Sequence, residues 1–225
     1  GYSSAASDVY KRQPFVNVAG DITIALNSGS VDTGVEIEFP KLQEIGGALT
    51  LGENANANKI DFPLLKRILG SCSITTQYLK DDIEFPNLES IGTEAGSTQV
   101  EFDINKTNIL CPKLKTIHGG VNIITFLAQH GMTANNISYP NVESISGNLS
   151  IISYFSYMEN GIESIDFSGL KSVKSINIIA QRNINNFSTF KYLFENNILT
   201  EASQWTVTDC GYNPTFQDMK EGRYT

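Results

Sequence analysis

Apolar side chains return along this chain at fixed offsets within a phrase that is spoken six times. Ile37-Glu-Phe-Pro40 recurs as Ile60-Asp-Phe-Pro63, Ile83-Glu-Phe-Pro86, Ile109-Leu-Cys-Pro112, Ile137-Ser-Tyr-Pro140 and Ile165-Asp-Phe-Ser168, with starts 23, 23, 26, 28 and 28 residues apart. Two positions after the proline comes Leu42, Leu65, Leu88, Leu114, Val142 or Leu170, and three further on Ile45, Ile68, Ile91, Ile117, Ile145 or Val173. A period of this length marks a stacked repeat architecture, in which no single unit can bury its own apolar face.

A second set of elements follows the phrase. Reading on from Phe15-Val-Asn-Val18, apolar-polar-apolar triplets occur at Ile22-Thr-Ile24, Leu49-Thr-Leu51, Cys72-Ser-Ile74, Val100-Glu-Phe102, Val121-Asn-Ile123, Leu149-Ser-Ile151 and Ile176-Asn-Ile178, with Trp205-Thr-Val207 as an eighth rung. Side chains alternate along a strand, so each triplet sends two apolar groups inward and one polar group outward. Gly46, Gly47, Gly70, Gly92, Gly119, Gly120 and Gly147 fall where the coil must turn, and positive φ is the reading for them. The prolines lack a backbone donor and belong at corners outside a ladder. Between the Leu and Ile columns runs Gln43, Lys66, Glu89, Lys115, Glu143, Lys171, an alternation that sets opposite charges side by side on adjacent rungs and helps fix register.

The phrase I-[DE]-F-P-x-L-x-x-I-G-G-x-L-x-I resembles the leucine-rich repeats of the receptor L-domain type and of bacterial surface proteins, over about Phe15 to Ile178. The resemblance implies a mainly β fold: a right-handed leucine-rich-repeat β-solenoid of about seven to eight coils with a small C-terminal helical cap. Two departures stand out. Lys59, Asp82, Asn108 and Asn136 replace the usual Asn column, and the sixth coil lacks the proline and shortens its turn.

Residues 14–187 are read as the solenoid and 188–225 as a cap of the same domain. Phe190, Leu193 and Phe194 follow helical spacing after Ser188, the expected N-cap. Asn213 and Pro214 predict the start of a second short helix, with Gly222 at its exit. Ser3 to Gln13, SSAASDVYKRQ, fits no apolar period and resembles an in-frame sequencing adapter on a metagenome-derived gene. Residues 1–13 are therefore expected to be a non-native, adventitious scar, with the native N-terminus and any signal peptide missing.

Composition narrows the function classes. With 225 residues, 40% hydrophobic and 18% charged, the chain is ordinary globular material. A formal charge of −8 argues against nucleic acid or an anionic membrane as partner. No apolar run is long enough for a transmembrane segment. Three cysteines do not make a disulfide framework; Cys72 and Cys111 occupy core columns, and Cys210 lies in the cap.

Catalytic chemistry finds little footing. His118 and His130 are the two histidines, the first in a turn position and the second in a long loop, and neither spacing assembles a nucleophile, base and orienter. No zinc-type spacing occurs, and Glu38, Asp61, Glu84 and Asp166 share a column that Leu110 and Ser138 interrupt, so no metal or cofactor is expected. Two surfaces remain as candidates. One is the outward triplet column Thr23, Thr50, Ser73, Glu101, Asn122, Ser150, Asn177 and Thr206. The other is the aromatic loop pair 126–132 and 154–160, with Phe126, His130, Tyr154, Phe155 and Tyr157, joined by Tyr78. These loops either present rigid contact area or pack on one another beside the core. The expectation is a non-enzymatic exported bacterial protein that binds a protein or glycan ligand through the solenoid surface. By resemblance its place is extracellular or at the cell surface, an outer-membrane lipoprotein being one form of it. The competing class is a structural spacer or adhesin stalk segment with no ligand of its own.

Overall fold

The triplets fall in one row. The computed structural model describes residues 15–24, 35–52, 57–76, 81–104, 107–125, 136–154 and 162–225. Across it Ile22, Leu49, Cys72, Val100, Val121, Leu149, Ile176 and Trp205 are successive partners in one eight-stranded, wholly parallel sheet. The coil is a parallel β-solenoid of about six turns. Eight strands arise because Ile22–Ile24 and Trp205–Thr208 add a rung at each end.

The other columns build the remaining sides. A six-stranded sheet of two-residue strands runs from Asn17–Val18 to Ser144–Ile145 and stacks Val18, Ile45, Ile68, Ile91, Ile117 and Ile145. The Ile-acid phrase forms a third side, split into four strands from Val35–Glu38 to Ile109–Leu110 and two more, Asn136–Ser138 and Ser164–Asp166. Each proline opens the turn just after this strand, as its missing donor predicts. Asn87 and Asn141 stand one residue later and donate to the carbonyls of Pro63 and Pro112 a turn below, at 2.6 and 2.8 Å. Polar residues just before or at the start of the Ile-acid strands also pair between turns. Asn108 donates to the Asp82 carboxylate from both its backbone, at 2.7 Å, and its side chain, and Ser164 donates to Asn136 at 2.6 Å.

All columns meet in a single buried core. Phe39, Phe62 and Phe85 stack at centroid distances of 4.8 and 5.3 Å, and each full burial is worth about 1.5–3 kcal/mol. The stack breaks at Cys111, where the phrase gives up its aromatic ring. Tyr139 restarts it, packs on Phe167 at 5.6 Å, and donates its buried hydroxyl to the Ile109 carbonyl at 3.0 Å. Lys171 and Glu143 of the charge column meet at 2.9 Å, and that hydrogen bond holds the Glu143 carboxyl below its usual range.

Three expectations need correction. Of the column glycines only Gly92, at φ 83°, has positive φ among the described residues; Gly46, Gly47, Gly70, Gly119 and Gly147 serve close stacking. A Cβ on Gly70 would stand 2.6 Å from the Gly47 carbonyl carbon, and one on Gly147 2.6 Å from the Gly120 nitrogen. Ser188 is not a side-chain cap. Its own N–H donates to Asn186 Oδ1 at 2.8 Å, opening a 3-10 turn, Ser188–Phe190, that leads into helix α1, Lys191–Glu195. Asn213 does not cap the last helix either. It clamps the backbone of Cys210 at 2.9 and 3.0 Å, while Thr215 caps α2, Phe216–Lys220, in a reciprocal box with Asp218. The exit at Gly222, φ 77°, is as expected. Trp205 anchors the cap: its indole donates to the Pro214 carbonyl at 2.9 Å and takes Phe187, Phe190 and Phe194 edge-on.

Candidate functional site

The outward column is continuous. Thr23, Thr50, Ser73, Glu101, Asn122, Ser150, Asn177 and Thr206 are direct register partners from one end of the triplet sheet to the other, exposed or half-buried throughout. Seven rung spacings make a strip about 34 Å long. Their inward neighbours in the core set the backbone, so the small polar side chains sit on a surface with little freedom to move.

A second row lies two residues further along the strands and was missed in the sequence. Thr75, Asp103, Ile124, Ile152, Ile179 and Thr208 are consecutive partners on the same outward face. Three isoleucines therefore stand beside Asn122, Ser150 and Asn177. Ile152 and Ile179 are half-buried; Ile124 is 7% exposed yet does not belong to the central core. The signal was present: the doublets Ile123-Ile124, Ile151-Ile152 and Ile178-Ile179 break the alternation that a solvated face requires. Beside them Asp103 accepts from the Thr75 hydroxyl at 3.3 Å, and its other carboxyl oxygen is buried without a hydrogen-bond partner. Burial, helped by Glu101, pushes its carboxyl above the usual range, while Thr75 pulls it back.

Of the loop residues, Tyr154 follows directly on the Asn148–Ser153 strand, takes a backbone bond from its N–H to the Thr125 carbonyl at 3.3 Å, and is 59% exposed. Tyr78, Phe126, His130, Phe155 and Tyr157 lie outside the described residues. At the C-terminal ends of these strands Thr125 and Ser153 are buried register partners, and buried Gln181 donates to the Thr125 hydroxyl at 3.2 Å.

Other chemistry is dispersed. His118 is half-buried in its turn, its N–H given to the Ile91 carbonyl at 2.8 Å. Cys72, Cys111 and Cys210 are buried free thiols, and desolvation pushes Cys72 up to about 12. Glu38, Asp61 and Glu84 do stand on adjacent rungs, with Lys59 on Asp61 at 3.1 Å. Among the described residues no group of three His, Cys, Asp or Glu side chains is arranged to hold a metal ion, and no helix is long and apolar enough to cross a membrane. Comparison of the chain with protein-family models, with curated proteins and with solved structures finds no match.

Proposed function

We propose that this is a non-enzymatic, exported protein of the leucine-rich-repeat type whose outward triplet face binds another protein. The observation that carries the reading is the pairing of an eight-rung polar column with the half-buried Ile152 and Ile179 on one rigid surface. A protein partner offers apolar and polar groups over a comparable length, as interfaces of about 800 Å² per side do. A glycan would call instead for clustered exposed aromatic rings, and the exposed ones among the described residues, Phe15, Tyr154 and Tyr192, fall in separate parts of the chain.

The test uses arginine on the face: Asn122→Arg with Ser150→Arg, both outward and clear of the core. Wild type and variant are screened against protein and glycan arrays after circular dichroism has shown them equally folded. The expected result is a protein target held by wild type and weakened at least about tenfold in the variant. Targets that both bind alike would remove the face from consideration. No target for either would leave the spacer class in its place, and loss confined to glycans on Tyr154→Ala would move the site to the loops.

A further inference from the structure

The cap closes the triplet sheet with its own strand, but it does not do the same for the third side of the coil. Among the described residues Ser164–Asp166 is the last strand there, paired to Asn136–Ser138 on one flank and to no strand on the other. The chain of the cap touches that flank at Thr189, whose hydroxyl meets Phe167 and Asp166, and otherwise leaves a groove of about 550 Å³, within the range of ordinary ligand clefts of about 300–1,000 Å³. Its walls are the strand on one side and the segment from Asn183 to Lys191 on the other.

Alternation along the strand decides what the groove offers. The Asp166 carbonyl accepts from the Tyr139 N–H at 2.8 Å, so the residue-166 groups face the paired flank. The N–H and C=O of Ile165 point the opposite way, into the groove, as does the Phe167 N–H. Phe167 already has a substitute for a strand carbonyl: the Thr189 hydroxyl accepts from it at 2.6 Å. Among the described residues Ile165 has no such substitute, only the groove. One donor and one acceptor on the same residue, at strand geometry, are what a bridging residue of an extended peptide requires.

Side chains narrow the occupant. Ile165 and Ile184, both buried, form the floor. Glu163 and Asp166 stand on the strand side, Asp166 Oδ1 also accepting from the Ser168 N–H at 2.9 Å and facing the Thr189 hydroxyl. Lys191 on the opposite wall leaves the groove with an excess of one negative charge. A peptide residue bridging Ile165 turns its side chain toward that floor, and its two neighbours turn outward beside Asp166. We infer that this groove binds an extended peptide by strand addition at Ile165, with an apolar central side chain flanked by lysine or arginine.

The experiment titrates ¹⁵N-labelled protein with three acetylated, amidated pentapeptides: Thr-Lys-Val-Lys-Thr, Thr-Glu-Val-Glu-Thr, and the lysine peptide N-methylated at its central amide. With the first, the Ile165 amide resonance shifts and its hydrogen exchange slows by about tenfold or more. The glutamate peptide binds at least about tenfold more weakly, and the N-methylated one does not bind, because its bridging donor is gone. Glu163→Lys, at an exposed position, narrows or reverses the preference between the first two. An unmoved Ile165 amide at millimolar peptide would overturn the inference. So would equal binding of the N-methylated peptide, or shifts confined to Thr50 and Ser150 on the triplet face. Because Ile165 lies off that face, its amide reports on this groove whether or not the array screen succeeds.

Discussion

Gly147 and Gly20 differ in a way that the sequence does not record. Both precede a strand by a residue or two, but a Cβ at 147 would meet the backbone of the turn below, whereas one at 20 meets nothing within 4 Å. Gly147→Ala must therefore force two turns apart and is expected to cost about 1–3 kcal/mol, read as a lower urea midpoint with unchanged slope. Gly20→Ala is expected to leave the midpoint where it was. A glycine column is legible in one sequence as a periodicity, but its cause is a distance between backbones a turn apart. Composition cannot separate that cause from positive φ, which only Gly92 supplies here among the described column positions. The same holds for Ile124 and Ile152. Their outward direction follows from the register, and a doublet of isoleucines by itself is compatible with either face of a strand.

At the level of elements the strands were legible and the helix starts were not. A strand in this fold is specified by its own alternation and by repetition, so even Trp205-Thr-Val207, far from the regular phrases, could be placed as a rung. A cap is specified by whichever side chain reaches the free N–H first. Asn213 is drawn off to Cys210, and Thr215 does the work for α2 instead. That helix end carries a pH signature. Asp218 accepts from Thr215 and from Arg223 Nε at 2.9 Å, and these bonds hold its carboxyl down from 3.8 to about 2. A carboxyl with a depressed folded value adds stability above its unfolded value and loses it as pH falls through the folded one. Acid is thus expected to loosen the cap between about pH 4 and pH 2. Asp218→Asn should be the less stable protein at neutral pH, its melting temperature converging with that of wild type near pH 2. Curves that stay parallel down to pH 2 would mean that the carboxylate contributes nothing to folding. Glu143 and Glu221, also held low by their partners, leave some acid slope in the variant.

For the molecule as a whole, each turn touches chiefly the turns above and below it, and opening can begin at an end without involving the middle. The three thiols report on this. Cys72 and Cys111 lie deep in the coil, at 1% and 4% exposure, while Cys210 lies in the cap beside the last strand at 9%. Under an excess of thiol reagent, with the labelled sites read by mass spectrometry, Cys210 is expected to react first and at low urea. Cys72 and Cys111 should follow together only as the interior turns unfold. A Cys72 that reacts as early as Cys210 would show the coil opening from within.

The regular spacing of Ile37, Ile60 and Ile83 has a consequence for how long such a molecule can be. Ile60, Phe62, Leu65 and Ile68 offer the turn above the same apolar groups that Ile37, Phe39, Leu42 and Ile45 offer from below. A duplicate of residues 60–82 spliced in after Asp82 would find its apolar seats already shaped, and only the basic rows, Lys66 and Arg67, would meet their own copies on the adjacent rung. Length in this protein is a dimension that tandem copying of one short stretch of gene can extend, leaving both ends as they were.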